Sequence, residues 1–232
     1  LVKIDINIEK SFANYLVENI SLDKTYGSVW FYNDQAREDI PDIKKNKIDF
    51  YHQAQQIEMH LIYIRNNQES KHVKDIVDCF MSLVYLSEKN HVLPYTNEKF
   101  HFQGNIHVWG LSSFISAFCD IRPFLSESQI RSAKVEVDKA VDFILNYSFK
   151  DDYFIPVIKE DNSPFDVRYM VRSDAWVINS LSNYILHDYN EGIENVITRV
   201  FKRAEKADFS GIESHASNRR VRFFRALRDL KK

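Results

Sequence analysis

A chain of 232 residues with 44% apolar and 14% aromatic side chains can bury a core as one domain and is too apolar to be disordered. Its formal charge of −2 gives no general basic field for a phosphate backbone, which excludes nucleic acid as a partner outside a local patch. Cys79 and Cys119 form no CxxC and no His/Cys cluster at zinc spacing, so neither a disulfide framework nor a structural zinc site is expected, and a reducing compartment fits.

The first twenty residues carry Lys3, Asp5, Glu9 and Lys10 where a signal peptide needs an apolar run. No stretch approaches the roughly eighteen apolar residues of a membrane span, so no transmembrane segment is expected and a cytoplasmic location is the default. The start at Leu1, running almost at once into a helical pattern, suggests a processed or truncated product. Five Gly and five Pro leave few breaks, and apolar periodicity predicts helices at 7–20, 48–66, 71–88, 106–122, 126–148, 169–188, 192–205 and 217–230, with strands a minor element at most.

These helices fall into pairs. The stretches DFYHQAQQIEMHLIYI (49–64), IHVWGLSSFISAFCDI (106–121) and MVRSDAWVINSLSNYI (170–185) align without gaps, placing His52, Trp109 and Ser173 in one column. Connections near 67–70, 123–125 and 189–191 are short, whereas those near 21–47, 89–105, 149–168 and 206–216 are long. In an up-and-down array that alternation brings every long connection out on one face, at the start of the second helix of each pair. Loops tend to carry function, and helix N-termini offer unpaired N–H groups, so this face is the candidate site. The second helix of each pair is the more apolar, which predicts inner and outer layers. The fold class expected is all-α, with repeated antiparallel helix pairs forming an α/α toroid or an open arc of one, in a single domain over 1–232 or the C-terminal part of a longer protein.

Three of these runs carry a resemblance. YGSVWFYND…KIDFYHQAQQIEMHL, GNIHVWGLSSFISAF and VRYMVRSDAWVINSLSNYI, in this order and at similar spacing, resemble motifs of α/α-toroid polysaccharide biosynthesis proteins encoded with exopolysaccharide, capsule and lipopolysaccharide genes. The likeness covers about residues 10–190. Two motifs depart from the family pattern: its His-Thr-Gly stands here as His52-Gln53-Ala54, and its Arg-Trp pair as Val171-Arg172. A one-residue shift turns a helical side chain by about a quarter of the circumference. Family members also have further helix pairs upstream. The resemblance implies a cell-surface glycan context, with a glycan or oligosaccharide and other polysaccharide-assembly proteins as partners.

The candidate residues cluster at the three equivalent helix starts. Asp49 and His52 can form an acid/base pair, or serve as an N-cap beside a buried histidine. His107 and Trp109 occupy the corresponding point of the next repeat, and Arg172, Asp174 and Trp176 that of the one after. Aromatic faces with His, Asp and Arg suit a carbohydrate, the rings packing on sugar C–H faces and the polar groups meeting hydroxyls or a carboxylate; equally, the tryptophans can fill the centre of the array. Trp30 and Tyr32 lie in what reads as a loop after Gly27, overhanging the site or pinning the loop to the core.

Asp49 and Asp174 can supply the paired carboxylates of a glycosidase, and His52 or His107 with Arg172 the base and charge-neutralising group of a lyase or epimerase. No cofactor and no metal are expected: His52, Gln56 and His60 recur every four residues, but that row drifts about forty degrees per step among apolar neighbours. The C-terminal run NRRVRFFRALRDLKK reads as a basic amphipathic helix, packed by its apolar side or touching an anionic glycan, lipid headgroup or partner. The functional expectation is an enzyme acting on a polysaccharide or lipid-linked oligosaccharide, of hydrolase, lyase or epimerase type; the alternative is a non-catalytic glycan-binding or scaffolding protein. Terpenoid cyclisation ranks last, because Asp151-Asp152 lacks a third aspartate at DDxxD spacing.

Overall fold

The computed structural model describes residues 20–23, 29–32, 54, 57, 61, 73–90, 105–159, 161–166 and 171–206. Five helices dominate them: α1 (Val73–Asn90), α2 (Val108–Ile121), α3 (Glu127–Phe143), α4 (Val171–Ile185) and α5 (Glu191–Lys206). Each starts within two residues of its predicted start, but α3 gives way at Ile144 to a π-helical turn that ends at Ser148, and α4 stops at Ile185, short of the predicted 188. Ala54, Ile57 and Leu61 are helical and buried within the predicted 48–66 segment. The predicted helices at 7–20 and 217–230 fall on residues outside this set, save that Ile20 opens a strand.

The two layers follow from the burial of each helix. Every residue of α2 is buried except the partly buried Trp109 and Asp120, so this helix has neighbours on all sides. By contrast α3 buries one stripe, Ala133, Glu136, Val137, Ala140, Val141 and Phe143, and α5 buries Ile193, Ile197 and Val200 at helical spacing. Helix α2 packs most intimately on α4, with α1 and α3 also against it. Phe80 of α1 stacks on Phe114 and Phe118 of α2 at ring separations of 5.5 and 6.2 Å. One buried charge ties α1 to α3: Glu136 of α3 accepts from Ser87 Oγ at 2.7 Å and from Lys139 Nζ at 2.6 Å. Two acceptor oxygens, each with a donor, are what let a carboxylate stay buried.

Helix starts explain the short turns. Ser126 caps α3 in a reciprocal box with Gln129, and Asn190 accepts the Ile193 N–H at the start of α5. The two turns lie side by side, joined by Arg122 and Asp188 at 3.2 Å.

The long connections hold more strand than the sequence suggests. Ile20–Asp23 (β1) and Val29–Tyr32 (β2) form an antiparallel hairpin in which Trp30 pairs with Leu22 and Tyr32 with Ile20. These two aromatics are therefore strand residues rather than loop residues, and β2 lies against α1. Asn105–His107 (β3) precedes α2 directly, which is why that helix starts at Val108 rather than 106. Residues 149–166 hold β4 (Phe149–Lys150), β5 (Tyr153–Phe154), β6 (Val157–Lys159) and β7 (Pro164–Asp166). β4 and β5 pair across Asp151 and Asp152, both at positive φ, the two-residue turn whose twist suits a hairpin. β6 is the middle strand of a sheet with β3 and β7, pairing Ile106 with Ile158 and His107 with Val157. Two long connections that are remote in sequence thus meet in one small sheet at the starts of the inner helices, as their alternation with short turns predicts.

Removing the Phe114 ring, fully buried against Phe80, should cost about 3–5 kcal/mol as Phe114→Ala, read from urea unfolding. A second test uses pH. Burial, aided by the Asp120 charge, raises the Cys119 thiol from 9.0 to about 12, and burial together with the Asp138 acceptor raises the Tyr184 phenol from 10.0 to about 12. The unfolded chain ionises these groups first, so their contribution to stability is whole below about pH 9 and is lost as pH rises through about 12. Denaturation midpoints should accordingly fall across that window, and Cys119 should resist alkylation at neutral pH until the protein unfolds.

Candidate functional site

The starts of α2 and α4 bring together four of the residues singled out from the sequence. His107 ends β3 and is the N-cap residue of α2 through its extended backbone, without a side-chain cap. The Val108 N–H instead donates to the Pro156 carbonyl at 3.1 Å, so the connection before β6 closes the helix end. The His107 ring, 3% exposed, lies 4.5 Å from the Trp109 ring and tilted 47° to it. Trp109 in turn lies 6.2 Å from Trp176 of α4, tilted 50°. His107, Trp109 and Trp176 therefore form one continuous row of rings across the two inner helices. Both tryptophans are only half-buried, so the row keeps some solvent-facing aromatic surface.

Asp174 lies on α4 two residues before Trp176, buried in the core. Its side chain belongs to a residue only 1% exposed, and Oδ1 accepts the Phe154 N–H of β5 at 2.8 Å. The main-chain donor anchors the β4–β5 hairpin to the start of α4. From the outer layer Arg199 of α5 grips the same hairpin, donating Nε to Asp152 Oδ1 at 2.7 Å with its guanidinium 4.9 Å above the Phe149 ring. Arg203, one turn on, lies 4.6 Å over Tyr153. Inside the hairpin, Ile155 N–H and carbonyl bond to Ser148 at the π-helical turn Ile144–Ser148 that follows α3. The hairpin is thus held at once by α4, α5 and the π-helical turn after α3. Asp151-Asp152 is the turn of this hairpin, with Asp152 engaged by Arg199.

Arg172 lies in the first turn of α4, two residues before Asp174. Trp30 and Tyr32 lie in β2. Asp49 and His52 lie outside the described residues, as does the basic run at 217–230. Among the described residues no group of three His, Cys, Asp or Glu side chains is placed to hold a metal ion, and no helix is long and apolar enough to cross a membrane.

Sequence reasoning passed over Phe154, Arg199 and Arg203. One local signal was present: FKDDYF places aromatics on both sides of a two-residue Asp-Asp turn, a hairpin pattern. That α5 supplies its clamps has no local signature, because Asp152 and Arg199 are far apart along the chain.

No protein-family profile matches the chain, and no curated protein does. Among solved structures it is similar to a glycoside hydrolase of family 105 from C. acetobutylicum ATCC 824, with a TM-score of 0.59 and 12% identity, over 85% of this chain and 55% of that one. At that identity the likeness establishes a shared, mostly helical fold. The chain spans about half the length of that hydrolase.

Replacing Asp174 by Ala removes the acceptor of a buried N–H and should destabilise the protein by about 1–3 kcal/mol, whereas Asp174→Asn keeps an acceptor oxygen and should cost less. Amide hydrogen exchange at Phe154 checks the cause, and should accelerate in the alanine variant relative to amides of α3.

Proposed function

We propose that this chain binds a glycan on the face where its long connections meet, and that it belongs to the biosynthesis or processing of a polysaccharide or lipid-linked oligosaccharide. The row His107, Trp109 and Trp176 carries the reading: two half-buried indoles at adjacent helix starts offer flat apolar surface for the C–H face of a sugar ring. Arg172, at the start of α4, is the candidate partner for hydroxyls or a uronate. The three ordered motifs that resemble polysaccharide biosynthesis proteins support the same context, with residues 1–232 as one domain of α/α-toroid type, closed or as an open arc. A glycan, together with other polysaccharide-assembly proteins, is the partner class this reading names.

Binding rather than turnover is what the described part of the site supports best. Asp174 already accepts a main-chain N–H in the core, an arrangement that suits positioning better than proton transfer to a sugar. A catalytic reading rests on Asp49 and His52, which the sequence repeat aligns with the equivalent helix start, with His107 as a further acid/base candidate. Likeness in fold to a glycoside hydrolase favours keeping this second reading.

Titration of the protein with oligosaccharides, followed by tryptophan fluorescence, separates the two. Saturable binding that Trp109→Ala weakens about tenfold, with no change in oligosaccharide length or stereochemistry after prolonged incubation, supports the binding protein. A changed product that disappears in His52→Ala supports the enzyme. Binding unaffected by Trp109→Ala and Trp176→Ala together removes the aromatic row from the site.

A further inference from the structure

A second concavity lies away from the aromatic row, on the outer wall between α3, the end of α4 and the start of α5, with a volume of about 580 Å³. Tyr184 and Trp176 are separated by about 12 Å of rise along α4, so the two places are distinct stretches of one helix. The floor of this cleft is a fixed polar network. Lys134 Nζ donates to both Asp138 oxygens at 2.9 Å and to the Tyr184 hydroxyl at 3.1 Å, while that hydroxyl donates back to Asp138 at 2.5 Å. Asp188, tied to Arg122, lies 3.8 Å from the same amine.

At the rim stands Tyr189, 71% exposed, whose hydroxyl donates to Glu194 Oε2 at 2.8 Å. That bond holds one edge of the ring to the first turn of α5 and leaves most of the side chain to solvent. Asp142, exposed on α3, also lines the cleft. An aromatic ring tethered beside carboxylates and an amine whose positions are already set is the inventory of a saccharide site: the ring packs on C–H groups, and planar carboxylates accept hydroxyls. With Asp138 paired to Lys134 and Asp188 to Arg122, Asp142 is the carboxylate of the lining left without a cation beside it among the described residues, so the excess charge that meets a ligand is negative and disfavours an acid group.

We propose that this outer cleft is a second glycan-binding site, selective for saccharide units without an acid group, neutral sugars or amino sugars. The proposal rests on the glycan reading of the protein and adds to it a place and a charge preference. Two sites on one helix let a single chain hold a polymer at two points, so a long glycan is retained more firmly than a short one even when each site is weak.

The test uses the full chain, titrated calorimetrically with maltotriose, a glucosamine trimer and trigalacturonate. Maltotriose or the glucosamine trimer should bind at a site that Tyr189→Ala weakens about tenfold and that Trp109→Ala leaves unchanged. Asp142→Lys should shift the preference toward trigalacturonate. Because Tyr189 and Asp142 are exposed, both variants should unfold at the wild-type temperature, which a thermal melt checks. If Tyr189→Ala leaves the binding of all three probes unchanged while Trp109→Ala abolishes it, the outer cleft is no site and the glycan reading stands. If none of the three binds at either place, the outer site is overturned; retention of the host polysaccharide by the wild-type protein alone would then keep the aromatic row. Tighter binding of trigalacturonate than of the other two at the Tyr189-dependent site overturns the charge preference.

Discussion

The burial of α2 on every side is the constraint from which the rest of the arrangement follows. A helix of composition VWGLSSFISAFCDI has no charged face to present to water apart from Asp120, so it is stable only when enclosed. Phe80 of α1 closes one side by stacking on Phe114 and Phe118, and α4 closes another. Small residues such as Gly110, Ser112 and Ser116 leave room for neighbours to approach closely. α3 and α5 each need bury only a stripe and so become the outer layer. The aromatic row is a consequence of this order: Trp109 and Trp176 stand at the starts of the two inner helices, where the enclosing wall ends.

Closing the inner helices at that end is the task of the long connections. A helix start leaves donors without intrahelical acceptors: at α2 the Pro156 carbonyl, just before β6, accepts from Val108, whereas at α4 the bond runs the other way, Asp174 accepting the Phe154 N–H of β5. The face that gathers the connections is thus built as an extension of the core. Arg199 and Arg203 extend the tie outward to α5, so a change on the outer helix is felt at the hairpin that Asp174 anchors to the start of α4.

Much of this was legible in the sequence, and the reason is periodicity. Long amphipathic or apolar runs with few Gly and Pro locate α1 to α5, because a 3.6-residue repeat survives ignorance of the partner. Alternating connection lengths gave the shared face. Trp109 and Trp176 could be singled out at the starts of two repeated helices, but not as neighbours, since the repeat aligns Trp109 with Ser173 and the ring contact depends on how the helices pack. Strands of two to four residues were not, since a run such as NIH or VIK carries too little pattern to stand out from a loop. Trp30 and Tyr32 show the same limit, being strand residues that a Gly-flanked aromatic segment read as loop.

The sequence by itself determined the mostly helical class, which of α1 to α5 are apolar throughout and which carry one apolar stripe, and the two helix starts at which His107, Trp109, Asp174 and Trp176 stand, all properties of local pattern. Only the tertiary structure decided what those residues do there. Whether a carboxylate such as Asp174 faces solvent or a main-chain N–H depends on where a hairpin twenty residues earlier folds back. Whether Tyr189 is a stray surface ring or the rim of a polar cleft depends on Lys134 and Asp138 arriving from another helix. Contacts between residues distant in sequence have no periodic signature, and they set the chemistry of both faces.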